Sequence, residues 1–258
     1  MTRYSRHIVL PEVGPVGQLK LSQAKVLVIG AGGLGIPVLQ YLTAAGVGTI
    51  GIVDHDTVAV DNLQRQVLYR EEDIQKNKAI AAQQLLKLRN SDIELQAYPE
   101  KLDTNNALER VAPYDIVVDC TDNFRTRYLI NDACVKQNKP LVFAAIYKFE
   151  GQLTVLNYQE GPTYRCLFPT PPKLGEVPNC EDNGVLGVLP GVLGMFQANE
   201  VLKIILGLEE VLSGKLMTLN VLTYQQKQFI FHRNQKEVMK IKQAPISSIA
   251  LDDCKRVP

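Results

Sequence analysis

The stretch Lys25-Val26-Leu27-Val28-Ile29 runs without a break in apolar character and stops at Gly30-Ala31-Gly32-Gly33-Leu34-Gly35. An apolar run that does not alternate reads as a strand buried on both faces. Leu34, Val38, Leu39, Leu42 and Ala45 then recur at helical spacing, with Pro37 in the first turn and Gly46 as the stop. A second strand follows over 49–53 and ends in Asp54. A strand, a glycine turn, a helix and another strand form a unit that closes only as part of a layered α/β sheet.

The alternation continues as helix 78–88, strand 93–98, helix 105–111, strand 116–119, helix 125–137 and strand 141–145. These elements predict a mostly parallel, Rossmann-like sheet with helices on both faces. Beyond Phe149 the pattern changes. Segments 152–158, 217–222 and 226–231 alternate with period two, as antiparallel strands extending the sheet would. Between them, 160–184 carries five prolines and reads as a functional or mobile loop. One domain over 1–242 and a tail or linker over 243–258 are expected.

At 258 residues with net charge +1, the chain offers no electrostatic case for nucleic acid or a membrane surface. The apolar stretch 185–208 is interrupted by Pro190, Gln197, Asn199, Glu200 and Lys203, so it reads as a buried helix. Five scattered cysteines without a CxxC pair suit a reducing, cytoplasmic compartment.

In the glycine loop, Gly30 permits the tight turn, Gly32 and Gly33 let a phosphate approach, and Gly35 lets helix and strand pack. The helix N-terminus offers N–H groups and a positive dipole to an anion. Asp54 stands where a carboxylate takes ribose hydroxyls, and Asp56 joins it among the nucleotide contacts. Asn62-Leu63-Gln64-Arg65 and Lys78 add two cations and amide donors, and Asp122 with Asn123 follows the 116–119 strand. Cations with one carboxylate suit a triphosphate carrying Mg²⁺, which is held by few carboxylates and by phosphate oxygens. His7, His55 and His232 are scattered and read as structural.

Together GAGGLG, YLTAAGVGTIGIVDHDTV, NLQRQ, DCTDN and EGQLTV resemble the ThiF/MoeB/HesA family, the bacterial relatives of ubiquitin-activating enzymes. The resemblance implies ATP-dependent adenylation of the C-terminal glycine of a small ubiquitin-fold sulfur-carrier protein ending in Gly-Gly, with pyrophosphate released, in molybdopterin or thiamin biosynthesis. It implies a homodimer and leaves room for a sulfurtransferase partner. Carried across, Gly33 and Asp54 match adenosine and ribose contacts. Asn62, Gln64, Arg65 and Lys78 match the phosphate-binding set, Asp122 the Mg²⁺ ligand, and Arg6 an arginine that reaches the neighbouring subunit's site. A carboxylate is already ionised at neutral pH, so attack on phosphorus needs no general base.

Two departures stand out. Many family members hold zinc with two CxxC pairs, whereas this chain keeps Cys166 and has Thr163, Lys236 and Met239 at the other positions; no structural zinc is expected, and Cys166 reads as a small apolar residue. Cys180 matches the cysteine that ThiF-like members link covalently to the carrier, a catalytic candidate opposed by the neighbouring Glu181 and Asp182. Cys120 and Cys134 read as structural. Two other functions compete: a non-catalytic nucleotide-binding partner of a carrier or sulfurtransferase, and an NAD-dependent oxidoreductase resting on the glycines and Asp54 alone.

Overall fold

The computed structural model describes residues 3–172 and 184–246. Two helices not expected from the sequence, α1 (Ser5–Ile8) and α2 (Gly14–Gln23), precede β1 (Lys25–Ile29). Next come α3 (Gly35–Ala45), β2 (Thr49–Val53), α4 (Lys78–Arg89), β3 (Glu94–Tyr98), α5 (Ala107–Val111), β4 (Ile116–Asp119) and α6 (Phe124–Gln137). The second half holds β5 (Leu141–Tyr147), β6 (Glu150–Leu156), α7 (Tyr164–Leu167), α8 (Val188–Leu206), β7 (Lys215–Asn220), β8 (Gln225–Ile230) and α9 (Gln235–Gln243).

The eight strands form one sheet in the order β3-β2-β1-β4-β5-β6-β7-β8. The first five are mutually parallel and β6 to β8 are antiparallel additions. The strand order reverses between β1 and β4, and the crevice outside the carboxyl ends of those two strands is where a ligand enters such a sheet. Every residue of β4, and every residue of β1 after Lys25, is buried. Their side chains alternate between two cores. Val26, Val28, Ile116 and Val118 pack with α3, α4 and α8, whereas Leu27, Ile29 and Val117 pack with α5 and α6.

The three antiparallel strands begin one or two residues earlier than the pattern over 152–158, 217–222 and 226–231 suggests. Turn geometry sets these limits. Lys148 at φ +53° turns β5 into β6, Asn157 at φ +53° ends β6, and Tyr224 at φ +58° precedes β8. The Asn220 side chain accepts N–H bonds from Leu222 and Thr223 at 2.9 and 3.1 Å, closing the β7–β8 turn.

Among the described residues α8 is long and apolar enough to cross a membrane. Here it lies against the sheet through Leu189, Leu193, Ala198 and Val201. Its buried Gln197 donates to the Asp119 carbonyl at 2.7 Å, and its buried Glu200 accepts the Leu212 N–H at 2.9 Å. These satisfied polar groups fix it as a core helix. Gly194 lets it close on α3, because a Cβ there would sit 2.3 Å from the Leu34 carbonyl oxygen. The expected tail from 243 lies, from 247 onward, outside the described residues.

Candidate active site

The glycine loop stands at the mouth of the β1–β4 crevice. Gly30 has φ +98°, and a Cβ on it would meet the Cys120 carbonyl oxygen at 2.7 Å. A Cβ on Gly35 would fall 1.8 Å from the Gly30 carbonyl oxygen. These two glycines are required by the fold. Gly33 carries a packing constraint as well, since a Cβ there would press on Pro190 of α8 at 3.1 Å. Gly32 alone faces open space, its nearest neighbour being the Gln66 amide nitrogen at 3.6 Å. The first turn of α3 has no side-chain cap and no acidic residue, so its N–H groups and dipole remain available to an anion.

Asp54, expected from sequence to take ribose hydroxyls, is 9 % exposed and is engaged within the chain itself. Its Oδ2 accepts the Ala31 N–H at 2.7 Å and its Oδ1 accepts the Asp56 N–H at 2.9 Å. Its carboxylate therefore fastens β2 to the glycine loop, and burial pushes its pKa up. The chain after it is joined to the start of α4. Asn77 caps that helix by accepting the Ile80 N–H at 3.1 Å, while its amide donates to the carbonyls of Asp54 and Asp56 at 3.0 and 3.2 Å.

Lys78 is the first residue of α4, an unfavourable end of a helix for a cation. It is 7 % exposed and pairs with Asp56 at 3.4 Å. His55, read as structural, is instead exposed, 3.4 Å from Asp56. Tyr69, which the sequence reading missed, has its hydroxyl 2.8 Å from the Ala31 carbonyl oxygen and 3.1 Å from that of Lys78. Burial pushes that phenol far up, so it stays a neutral donor tying loop to helix.

Asn62 closes a single 3-10 turn over Val60–Asn62 and is buried. Arg65 donates to the Asp61 carbonyl at 2.9 Å, and its Cγ lies 3.6 Å from the Cβ position of Gly33. Gln64 abuts Gly187 just before α8, where a Cβ would stand 2.5 Å from its side-chain oxygen. The start of α8 thus closes over both the glycine loop and the 62–65 turn. Gln66, also missed, is buried with its side-chain oxygen unpartnered.

Asp122 is exposed on the loop after β4, at the carboxyl ends of the strands. Asn123 has a structural duty, its side chain capping α6 by accepting the Thr126 N–H at 2.9 Å. Arg6 is exposed on α1 and stands apart from the rest. Its neighbour Tyr4 meets Gly46, where a Cβ would be 2.5 Å from the ring, at the far end of α3. An 11-residue helix rises about 16 Å, which puts Arg6 at the opposite end of the sheet from its own glycine loop. Cys180, Glu181 and Asp182 lie outside the described residues, as does Cys254.

Cys166 packs against the apolar cluster of Val135, Val238 and Ile241, and its thiol has polar neighbours as well. Its sulfur accepts N–H bonds from Thr163 at 3.3 Å and Asn234 at 3.2 Å, with the Thr163 hydroxyl at 3.3 Å. Beside it Val135, Val238 and Ile241 pack α9 onto α6. One thiol, an alcohol and an apolar cluster do not make the four-ligand set that structural zinc needs.

The ThiF family model matches residues 4–239. The chain belongs to the ThiF family. It is 51 % identical over 241 residues to the sulfur carrier protein adenylyltransferase of Thermus thermophilus, covering 92 % of this chain and 89 % of that one. It is 53 % identical over 217 residues to the adenylyltransferase and sulfurtransferase MOCS3 of Anopheles gambiae, covering 84 % of this chain. It spans only 49 % of the mosquito protein's length. Among solved structures it is similar to Escherichia coli MccB with ATP, at TM-score 0.79 and 26 % identity, covering 91 % of this chain and 73 % of that one. The chain is an adenylyltransferase of this ThiF type, which removes the oxidoreductase and non-catalytic readings.

Proposed function

We propose that this enzyme uses ATP and Mg²⁺ to adenylate the C-terminal glycine carboxylate of a small ubiquitin-fold sulfur-carrier protein of the molybdopterin or thiamin type. The observation that supports the reading is that Tyr69 ties Ala31 of the glycine loop to Lys78 while the Arg65 stem lies against Gly33, with Asp122 on the loop that leaves the neighbouring strand β4. The names of the Thermus and MOCS3 relatives support the substrate class, and the MccB–ATP structure supports the nucleotide.

In this reading the uncapped start of α3 and the amides of Gly32 and Gly33 take phosphate oxygens, and Gly32 leaves the room they need. Lys78 leaves Asp56 for the phosphates, a move of one side chain. Arg65, its stem seated on Gly33, balances charge on the leaving pyrophosphate. A carrier carboxylate oxygen bonds to the α-phosphorus as the bond to the bridging oxygen breaks, and pyrophosphate departs with that electron pair. Asp122, a single exposed carboxylate on the loop that leaves β4, suits Mg²⁺, and the ion would screen repulsion between the two anions. Because Arg6 sits behind its own site, its use requires a second copy of the chain, as in a homodimer. Cys180 is retained as the candidate for a covalent carrier link, and a sulfurtransferase as a possible partner.

The test is carrier-dependent pyrophosphate release from ATP and Mg²⁺, run against a panel of Gly-Gly-ending carriers. Intact ATP binding with no turnover on any carrier would refute the substrate, and absent ATP binding would refute the whole reading.

A further inference from the structure

A buried polar cluster lies directly behind Asp122. Asp119, the last residue of β4, is fully buried. Its Oδ1 accepts both the Thr121 N–H at 2.9 Å and the Thr121 hydroxyl at 2.7 Å, while its Oδ2 has no hydrogen-bond partner. From the other side Arg127, 7 % exposed on α6, donates to the Thr121 carbonyl at 3.2 Å. Its guanidinium lies over the rings of Phe124 and Phe143 at 5.2 and 5.7 Å, and its Nε is unpartnered.

Thr121 is therefore held by its N–H, its hydroxyl and its carbonyl. Asn123 is fixed in turn by capping α6. Asp122, between these two clamped residues, is exposed. Burying a carboxylate and a guanidinium with one atom of each unsatisfied is costly, and an apolar pair would serve the fold as well. Such a cost next to a site is where functional constraint is expected.

We propose that Asp119 and Arg127 are positioning residues. By bracketing Thr121 they hold the 121–123 loop so that the Asp122 carboxylate is presented to the metal on the nucleotide triphosphate. The proposal rests on the reading of Asp122 as the Mg²⁺ ligand, and the test separates the two.

The discriminating variants are Thr121→Val, which removes the hydroxyl at constant shape, and Thr121→Ser, which keeps it. Asp122→Asn serves as reference and Arg127→Lys as a second route to the same loop. Binding of Mn²⁺ in place of Mg²⁺ is followed by electron paramagnetic resonance with a non-hydrolysable ATP analogue, beside analogue affinity without divalent metal and the melting temperature. Thr121→Val and Arg127→Lys are expected to raise half-saturating Mn²⁺ about tenfold, the order set by one hydrogen bond to a charged group. Metal-free nucleotide affinity should stay within about twofold, and Thr121→Ser should restore metal binding. If Asp122→Asn weakens Mn²⁺ but Thr121→Val and Arg127→Lys do not, the positioning role is wrong and Asp122 keeps its own. Equal weakening of metal-free nucleotide binding also overturns it, as a general loop defect. If Asp122→Asn leaves Mn²⁺ binding unchanged, the reading of Asp122 falls and takes the proposal with it.

Discussion

Replacing Gly32 with alanine separates the glycines that build the loop from the one that serves the ligand. A Cβ at Gly32 meets nothing nearer than the Gln66 amide at 3.6 Å, an ordinary contact. Gly32→Ala should therefore fold at least as well as the parent. Where the backbone is compatible, the change stabilises by about 0.4–1 kcal/mol by restricting the unfolded chain. In a protein of this size that raises the melting temperature by at most about 2–4 °C. Gly35→Ala is the contrasting control, because its Cβ would overlap the Gly30 carbonyl oxygen at 1.8 Å and must open the turn. Overpacking of that kind costs about 1–3 kcal/mol or more. The added methyl at Gly32 occupies the space through which a phosphate reaches the loop amides. A hydrogen bond to a charged group contributes about 1.5–3 kcal/mol, so each one lost weakens ATP about 10- to 150-fold. Thermal melting gives the first quantity and calorimetric ATP titration the second. A well-folded Gly32→Ala that binds ATP like the parent would refute the placement of phosphate on this loop.

Lys78→Gln removes a cation from the N-terminal turn of α4, so its melting temperature should match or slightly exceed the parent's while carrier-dependent pyrophosphate release falls at least about 100-fold; retained turnover would show that Lys78 serves only Asp56. Ile241→Ala should cost about 2–5 kcal/mol and loosen α9, read as faster amide exchange over 235–243, because Ile241 belongs to the apolar cluster beside Cys166. Treatment with a strong zinc chelator should leave the melting temperature unchanged, and a drop of several degrees would reveal a metal that one thiol cannot account for. Burial raises the folded pKa of Asp119 above the ordinary aspartate value, against the opposing Arg127 guanidinium and Thr121 hydrogen bonds, with nearby Asp122 adding a smaller upward push. The native state then binds more protons than the unfolded chain, so this group costs stability progressively as pH rises from about 4, in full above its folded pKa. Asp119→Asn should flatten that fall in a melting series from pH 4 to 7, and parallel curves would contradict it.

Much of the parallel half was legible because its signals are local. Lys25–Ile29 and Ile116–Asp119 are buried on both faces and so read as unbroken apolar runs. The α3 periodicity and the Gly46 stop are equally contained in a few neighbouring residues. Helices α1 and α2 were missed because they carry little amphipathic pattern, and the antiparallel strand limits because left-handed residues such as Lys148 and Asn157, not hydrophobicity, end them.

The candidate site divides in the same way. Sequence alone could name Asp54, Arg65, Lys78 and Asp122, since each sits in a short motif whose residue types state a chemistry. It could not reveal that Asp54 fastens the glycine loop, that Gly33 abuts Pro190 some 157 positions along the chain, or that Tyr69 ties Ala31 to Lys78. It could not show Arg6 at the opposite end of the sheet from its own glycine loop, or Asp119 and Arg127 closed around Thr121. Motifs determined which groups were present, because phosphate and metal chemistry restricts the residue types that can serve. Only tertiary structure decided what each group is paired with, because partners, burial and the space at Gly32 depend on elements distant in the chain.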